Sequence, residues 1–333
     1  MTEMKRSKTT QSSTSGVLTS PDLLARILSF QFGVYKDMRA FPKLKLPIVT
    51  VPAIVRNTID QAGINAIKTT LHPWLKTHGI GHLPRLFQCL PHMKSIVVFY
   101  AIVVGDCAVL EYMHNQFPKD FPHNTLDLAA WFSQIDVLEL ATKKNIQGAT
   151  VSAMNMAALR GKLDVVKWLH RNRSEGCTTT AFDGAATNGH IHVVQWLHAN
   201  RREGCTTTAM NGAAIHGHLH VVQWLHTHRT EGCTTDAMDS AAQKGNLDMV
   251  RWLHFHRAEG CTELALIGAA AGNHLAVVEF LYHQGYTTGR VEAAAMAKKM
   301  HNDAVYAYLA AHIARDYSTS VQNFTQMLND RFH

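Results

Sequence analysis

The sequence predicts an all-α solenoid of about eight stacked helix-turn-helix repeats with a helical cap at its amino end. Three observations predict it. Trp168, Trp196, Trp224 and Trp252 stand 28 residues apart, as do Cys177, Cys205, Cys233 and Cys261, His170, His198, His226 and His254, and Gly161, Gly189, Gly217 and Gly245. Within each interval the apolar residues fall into two stripes at helical spacing. One such helix pair cannot bury both of its faces, so neighbouring pairs must stack into a continuous core.

Residues 1–16, MTEMKRSKTTQSSTSG, are polar throughout and are expected to be a disordered tail without the apolar core of a secretory signal. Their Ser, Thr, Lys and Arg would suit a mitochondrial transit peptide, but no arginine-spaced apolar face follows. Residues 17–94 are expected to form a helical cap region. It opens with the amphipathic stretch LTSPDLLARILSFQFGVYKDMRAF, started by Ser20 and Pro21, and continues as irregular helices over 53–92. Leu18, Pro21, Asp22, Leu23, Leu24, Ile27, Leu28 and Ser29 resemble the start of an F-box, spanning 18–41, which would imply a ubiquitin-ligase substrate adaptor. The later Cys and Trp of that pattern are missing and Pro42, Pro47 and Pro52 interrupt it, so a cap over the array's first apolar face is the preferred reading.

The array itself runs from 95 to 312 without an insertion. Counting back from Gly161 places Ser133 and Gly105 at the glycine position, with Leu140 and Tyr112 at the tryptophan position; counting forward places the aromatic Phe280 and Tyr308 there. In TAFDGAATNGH, Phe182, Ala185, Ala186 and Gly189 share one helical face. Thr180 sits at the N-cap position, with Ser152, Thr208 and Asp236 as its equivalents. Gly189 ends this first helix. In IHVVQWLHANRREGC, Ile191, Val193, Val194, Trp196 and Leu197 make a broad apolar stripe, so a second helix is predicted. Its last turn holds Arg201 and Arg202, and Gly204 stops it. Residues 313–333 are more polar and suit a terminal cap.

The unit resembles an ankyrin repeat. Thr208-Ala209-Met210-Asn211-Gly212-Ala213-Ala214, then Gly217-His218, then Leu219-His220-Val221-Val222-Gln223-Trp224-Leu225 follow that family's order across about two-thirds of the chain. Ala stands in place of the family's Pro, and Asn or Asp in place of its first His. Four residues carry the chain from Gly204 to Thr208 where the family holds a β-hairpin finger, and the second helix is expected to be about one turn longer in exchange. The repeat is thus shorter than the family's roughly 33 residues, and binding through fingers is disfavoured.

The histidines and cysteines invite a zinc reading, which the periodicity opposes. Structural zinc needs four ligands converging within about 2.0–2.3 Å, whereas a repeat spreads equivalent residues along a line at roughly 8–10 Å. That separation also exceeds the disulfide limit of about 7 Å. His216, His218 and His220 straddle a turn and should diverge. No metal or cofactor is expected, and the cysteines read as small buried apolar residues. The tryptophans read as core, so Trp224→Ala should cost roughly 3–5 kcal/mol. No nucleophile elbow or phosphate-binding loop occurs, and Arg201–Glu203 and Arg229–Glu231 read as a surface charge ladder worth little each. The chain is not expected to be an enzyme.

Residues 1–94 hold 13 Lys and Arg against 4 Asp and Glu, a net +9, and the remainder nets −2, so the overall +7 is concentrated at one end. Nucleic acid is therefore not the expected partner, though anionic binding by 1–94 would show as steep salt dependence. Residues 96–104 are the longest apolar run, too short for a membrane span. A monomer in the cytoplasm, or in the nucleus, is expected. Opposite the buried face of the first helices lie Arg160, Asp183, Thr187, Asn188, Asn211, Ile215, His216, Asp239, Gln243 and Lys244, which vary between units while the scaffold repeats. In the family this side lines a groove, so these residues are the expected contacts of a partner protein held by a non-enzymatic scaffold.

Overall fold

The computed structural model of the chain describes residues 30–31, 34–47 and 60–331. The chain divides into two compact units, residues 1–125 with 136–148, and residues 126–135 with 149–333.

In the first unit, the described part of the helix expected up to residue 41 is not helical. Phe30–Gln31 (β1) pairs antiparallel with Val34–Tyr35 (β2), and tight 3-10 turns follow at Lys36–Met38 and Phe41–Lys43. Aromatic and β-branched residues suit the pairing, and Pro42 tolerates only the first turn of a helix. The F-box-like residues 18–29 and the tail 1–16 lie outside the described residues. Helix α1 (Gln61–His78) starts at Asp60, whose carboxylate accepts the Gly63 N–H at 2.8 Å, and buries Ile64, Ile67, Leu71 and Trp74. Trp74 Nε1–H donates to Asp37 at 2.9 Å while its ring meets Phe41 edge-on at 5.5 Å, which ties the 3-10 turns to α1. After α2 (Leu83–Cys89), the apolar run forms α3 (Met93–Val104), buried all round from Ile96 to Val103. A helix apolar on every side belongs inside a core. Gly105 ends it in a left-handed conformation, and Asp106 caps α4 (Cys107–Gln116). No helix among the described residues is long and apolar enough to cross a membrane.

The repeat continues through α5 (Thr125–Trp131) and α6 (Ile135–Lys143), then α7 (Val151–Leu159) and α8 (Leu163–Asn172), α9 (Thr179–Thr187) and α10 (Ile191–Asn200), α11 (Thr207–Ile215) and α12 (Leu219–His228), α13 (Thr235–Gln243) and α14 (Leu247–His256), α15 (Glu263–Ala271) and α16 (Leu275–His283), and α17 (Arg290–Lys299) and α18 (Asp303–Arg331). The expected register holds to the residue. Gly105, Ser133, Gly161, Gly189, Gly217, Gly245, Asn273 and His301 all have φ between 59° and 78°, including the three positions without glycine.

In the second unit, neighbouring first helices pack side by side through buried alanine pairs such as Ala185–Ala186 and Ala213–Ala214. Each second helix lays a Val-Val-x-x-Leu stripe, Val193, Val194 and Leu197 in α10, onto that layer. Three local expectations need correction. The N-caps are Thr150, Thr178, Thr206, Thr234 and Thr262, two residues before the positions expected, because each hydroxyl accepts the N–H two residues on. The second helices are not lengthened: α10 ends at Asn200, and Arg201 is already extended. Gly204 therefore turns a loop instead of stopping a helix. Finally, the polar C-terminal stretch continues the last second helix as far as Arg331.

Candidate partner-binding surface

A first helix in the stack has neighbours on both flanks as well as a core beneath it, and this decides which of its polar residues are free. Asp183 is 9% exposed; its two carboxylate oxygens accept Thr206 N–H and Thr206 Oγ1–H, both at 2.8 Å. Asp239 holds Thr262 in the same way at 2.8 and 2.7 Å, and Asp127 holds Thr150 at 2.9 and 2.9 Å. Asn155 and Asn211 do the same job with one bond reversed. Their Oδ1 accepts the N–H of Thr178 or Thr234, and their Nδ2 donates to its hydroxyl. Each N-cap threonine is thus gripped by the preceding first helix. Burial pushes the Asp127 and Asp183 carboxyls up against these hydrogen bonds. Asp183, Asn211 and Asp239, expected as partner contacts, are correctly read as inter-repeat clamps, since their polar atoms are already committed.

The other seven stay at the surface of the first-helix layer. Arg160, Asn188, His216 and Lys244 occupy the C-cap of successive first helices and are exposed. Arg160 sits over the Trp131 ring at 4.8 Å. Asn188 Nδ2 donates to the Gly184 carbonyl at 2.9 Å, and His216 Nδ1 to that of Gly212 at 2.9 Å. Gln243 is exposed, while Thr187 and Ile215 are half-buried, Thr187 being packed where a side chain on Gly212 would lie. Cationic and imidazole groups at helix carbonyl ends are favoured by the dipole. Beside them, His190 and His218 lie over Gly161 and Gly189 of the preceding repeat, where a Cβ would come within 2.6 Å of each ring. Burial lowers the pKa of both, and the neighbouring histidines lower His218 further.

On the second-helix side, the tryptophans are half-buried rather than core. Trp224 meets His198 of the preceding repeat edge-on at 5.2 Å and stacks on His228 at 4.4 Å and 7°. His170–Trp196 and His226–Trp252 repeat the edge contact. Burial pushes the Cys177 and Cys233 thiols up to about 11, and those of Cys205 and Cys261 up to about 12, so they remain protonated and unreactive at neutral pH. Among the described residues, no group of three His, Cys, Asp or Glu side chains is placed to hold a metal ion.

The charge ladder is also more than a surface feature. Arg173–Glu175, Arg201–Glu203, Arg229–Glu231 and Arg257–Glu259 are half-buried two-bond forks, with Nε to Oε2 at 3.1–3.2 Å. The Arg201 guanidinium holds Glu203 down at about 2, and Arg257 does the same to Glu259. The forks at Arg201, Arg229 and Arg257 reach back onto the previous repeat. Glu203 Oε1 accepts the Cys177 N–H at 3.5 Å, and Glu259 Oε1 that of Cys233 at 3.4 Å. The pairing of Arg201 with Glu203 and of Arg229 with Glu231 was expected, but not their reach onto the preceding repeat, and the clamp was not anticipated. The clamp did leave a trace, an Asp or Asn 23 residues before every cap threonine from Thr150 to Thr262.

A family model described as ankyrin repeats (3 copies) matches this chain over residues 154–239 and 182–263. No curated protein matches it.

Proposed function

We propose that this chain is a non-enzymatic scaffold, a reading supported by the match of residues 154–263 to a model of ankyrin repeats, modules that generally bind other proteins and are typically not enzymes. It holds a partner protein across the exposed C-terminal ends of its first helices. One observation carries the reading. The clamp, the left-handed turn and the alanine pair recur unchanged or nearly so, while the four exposed C-cap positions between them read Arg160, Asn188, His216 and Lys244. A scaffold held fixed beneath a row of differing side chains is the arrangement of a recognition surface. Arg160, Lys244 and His216 would carry the charge and hydrogen bonding, with Thr187, Asn188, Ile215 and Gln243 completing the contact. The test is the affinity of a partner recovered by affinity purification and then purified itself. Arg160→Glu with Lys244→Glu should weaken it at least tenfold while the chain stays folded, the melting temperature falling only by the lost Trp131 contact and the reversed charge at two helix carbonyl ends. Unaltered affinity would reject this surface.

A further inference from the structure

The ladder of Arg–Glu forks ends where its next rung is due. On Gly176, Gly204 and Gly232 lie the guanidinium nitrogens of Arg201, Arg229 and Arg257, within 2.5–3.1 Å of where a Cβ would stand. Over Gly260–Cys261, the fork would come from residues 285 and 287, which are Gly285 and Thr287. Tyr286 takes over only part of the role. Its hydroxyl meets His254 Nδ1 at 3.1 Å, as Arg201 and Arg257 meet His170 and His226 at 3.4 Å, but it brings no charge. Beside it lies an open pocket of about 540 Å³, lined by Cys261, Thr262, Glu263, Leu264, Tyr286 and Thr288. Thr287 stands where a fork glutamate would face the Cys261 amide.

The pocket's rim differs from the preceding repeats in two ways. Glu263 and Leu264 stand where those repeats carry Thr179–Thr180, Thr207–Thr208 and Thr235–Asp236. Glu263 is an exposed carboxylate. Leu264 is 60% exposed. A pocket whose fork position is taken by an uncharged tyrosine therefore carries an exposed carboxylate and an exposed apolar side chain. We propose that this pocket docks an arginine side chain carried by an extended segment of a partner protein, with a neighbouring aliphatic side chain laid on Leu264. The arginine supplies the cation that the missing rung would have brought: its fork pairs with Glu263 and its plane lies along Tyr286, a geometry that suits arginine better than lysine. This site is separate from the C-cap row and stands or falls independently of it.

The experiment titrates the full-length, nitrogen-15-labelled chain with acetyl-Ala-Arg-Leu-Ala-amide and follows backbone amide shifts. Saturable shifts centred on Cys261, Leu264 and Tyr286 are expected. Restoring the threonines with Glu263→Thr and Leu264→Thr should weaken binding at least fivefold while leaving Arg160 and Lys244 untouched. Replacing the peptide's arginine by glutamine should weaken its binding to the unaltered chain by the same factor, a comparison that needs no variant to fold. No shifts at the pocket, or a loss below fivefold in either comparison, overturns the proposal.

Discussion

Replacing Asp183 by alanine would remove the carboxylate that accepts the N–H and hydroxyl of Thr206 in the next repeat, both at 2.8 Å, and leave those donors of an exposed residue to water. A hydrogen bond to a charged group contributes about 1.5–3 kcal/mol. Release of a carboxylate from a site where burial already raises its pKa offsets part of this. A net loss of about 1–2 kcal/mol follows from the same balance. Asparagine should behave differently, because Asn155 and Asn211 perform the same clamp with threonine N–H bonds of 3.0 Å. Asp183→Asn is expected to stay within about 1 kcal/mol of the parent. The pH dependence gives a second signature. The folded pKa of Asp183 lies above its unfolded value of 3.8, so the stability it contributes is complete below 3.8 and is lost as pH rises through the folded pKa. Asparagine carries no charge to desolvate and should remove that loss. Urea unfolding of parent, Asp183→Ala and Asp183→Asn, followed by circular dichroism at pH 7 and again near pH 4, reads all three quantities. If the alanine variant matched the parent, or the asparagine variant fell as far as the alanine one, the clamp would not be holding the repeats together.

Trp224→Ala should cost about 1–3 kcal/mol, below the value for a fully buried aromatic, because the ring is half-exposed against His198 and His228; a loss near 5 kcal/mol in urea unfolding would contradict this. Gly212→Ala places a Cβ 2.0 Å from Thr187 Oγ1, so it should lower the melting temperature, and Thr187→Ala in the same chain should recover part of the loss, because the Thr187 Cβ that remains is 2.9 Å from the new one. Failure of that rescue would mean the two helices are held apart by something else. His190 and His218 have folded pKa values depressed below 6.5, so their contribution is present above that value and is lost as pH falls through the folded pKa. Melting temperature measured from pH 7 to pH 5 should fall less steeply in His190→Asn with His218→Asn than in the parent; parallel curves would rule the two histidines out.

The sequence by itself determined the repeat length, the number of helix pairs and the left-handed turns. These are properties a unit imposes on itself: glycine at a positive φ, apolar residues every third or fourth position, a threonine before a helix. Their record is local, so it survives in one chain read alone, even at Ser133, where the residue type departs from the pattern but the conformation does not. What lies between units was decided only by the tertiary structure. Asp183 and Lys244 look alike on a helical wheel, as polar residues away from the alanines. One is closed off by the neighbouring repeat's threonine, and the other faces water. The forks at Arg201 and Arg257, the half-exposed tryptophans and the unfilled rung at Cys261 belong to the same class. Each depends on the distance and rotation from one helix pair to the next, and the period of a sequence fixes how often contacts recur without saying which side of each residue they cover.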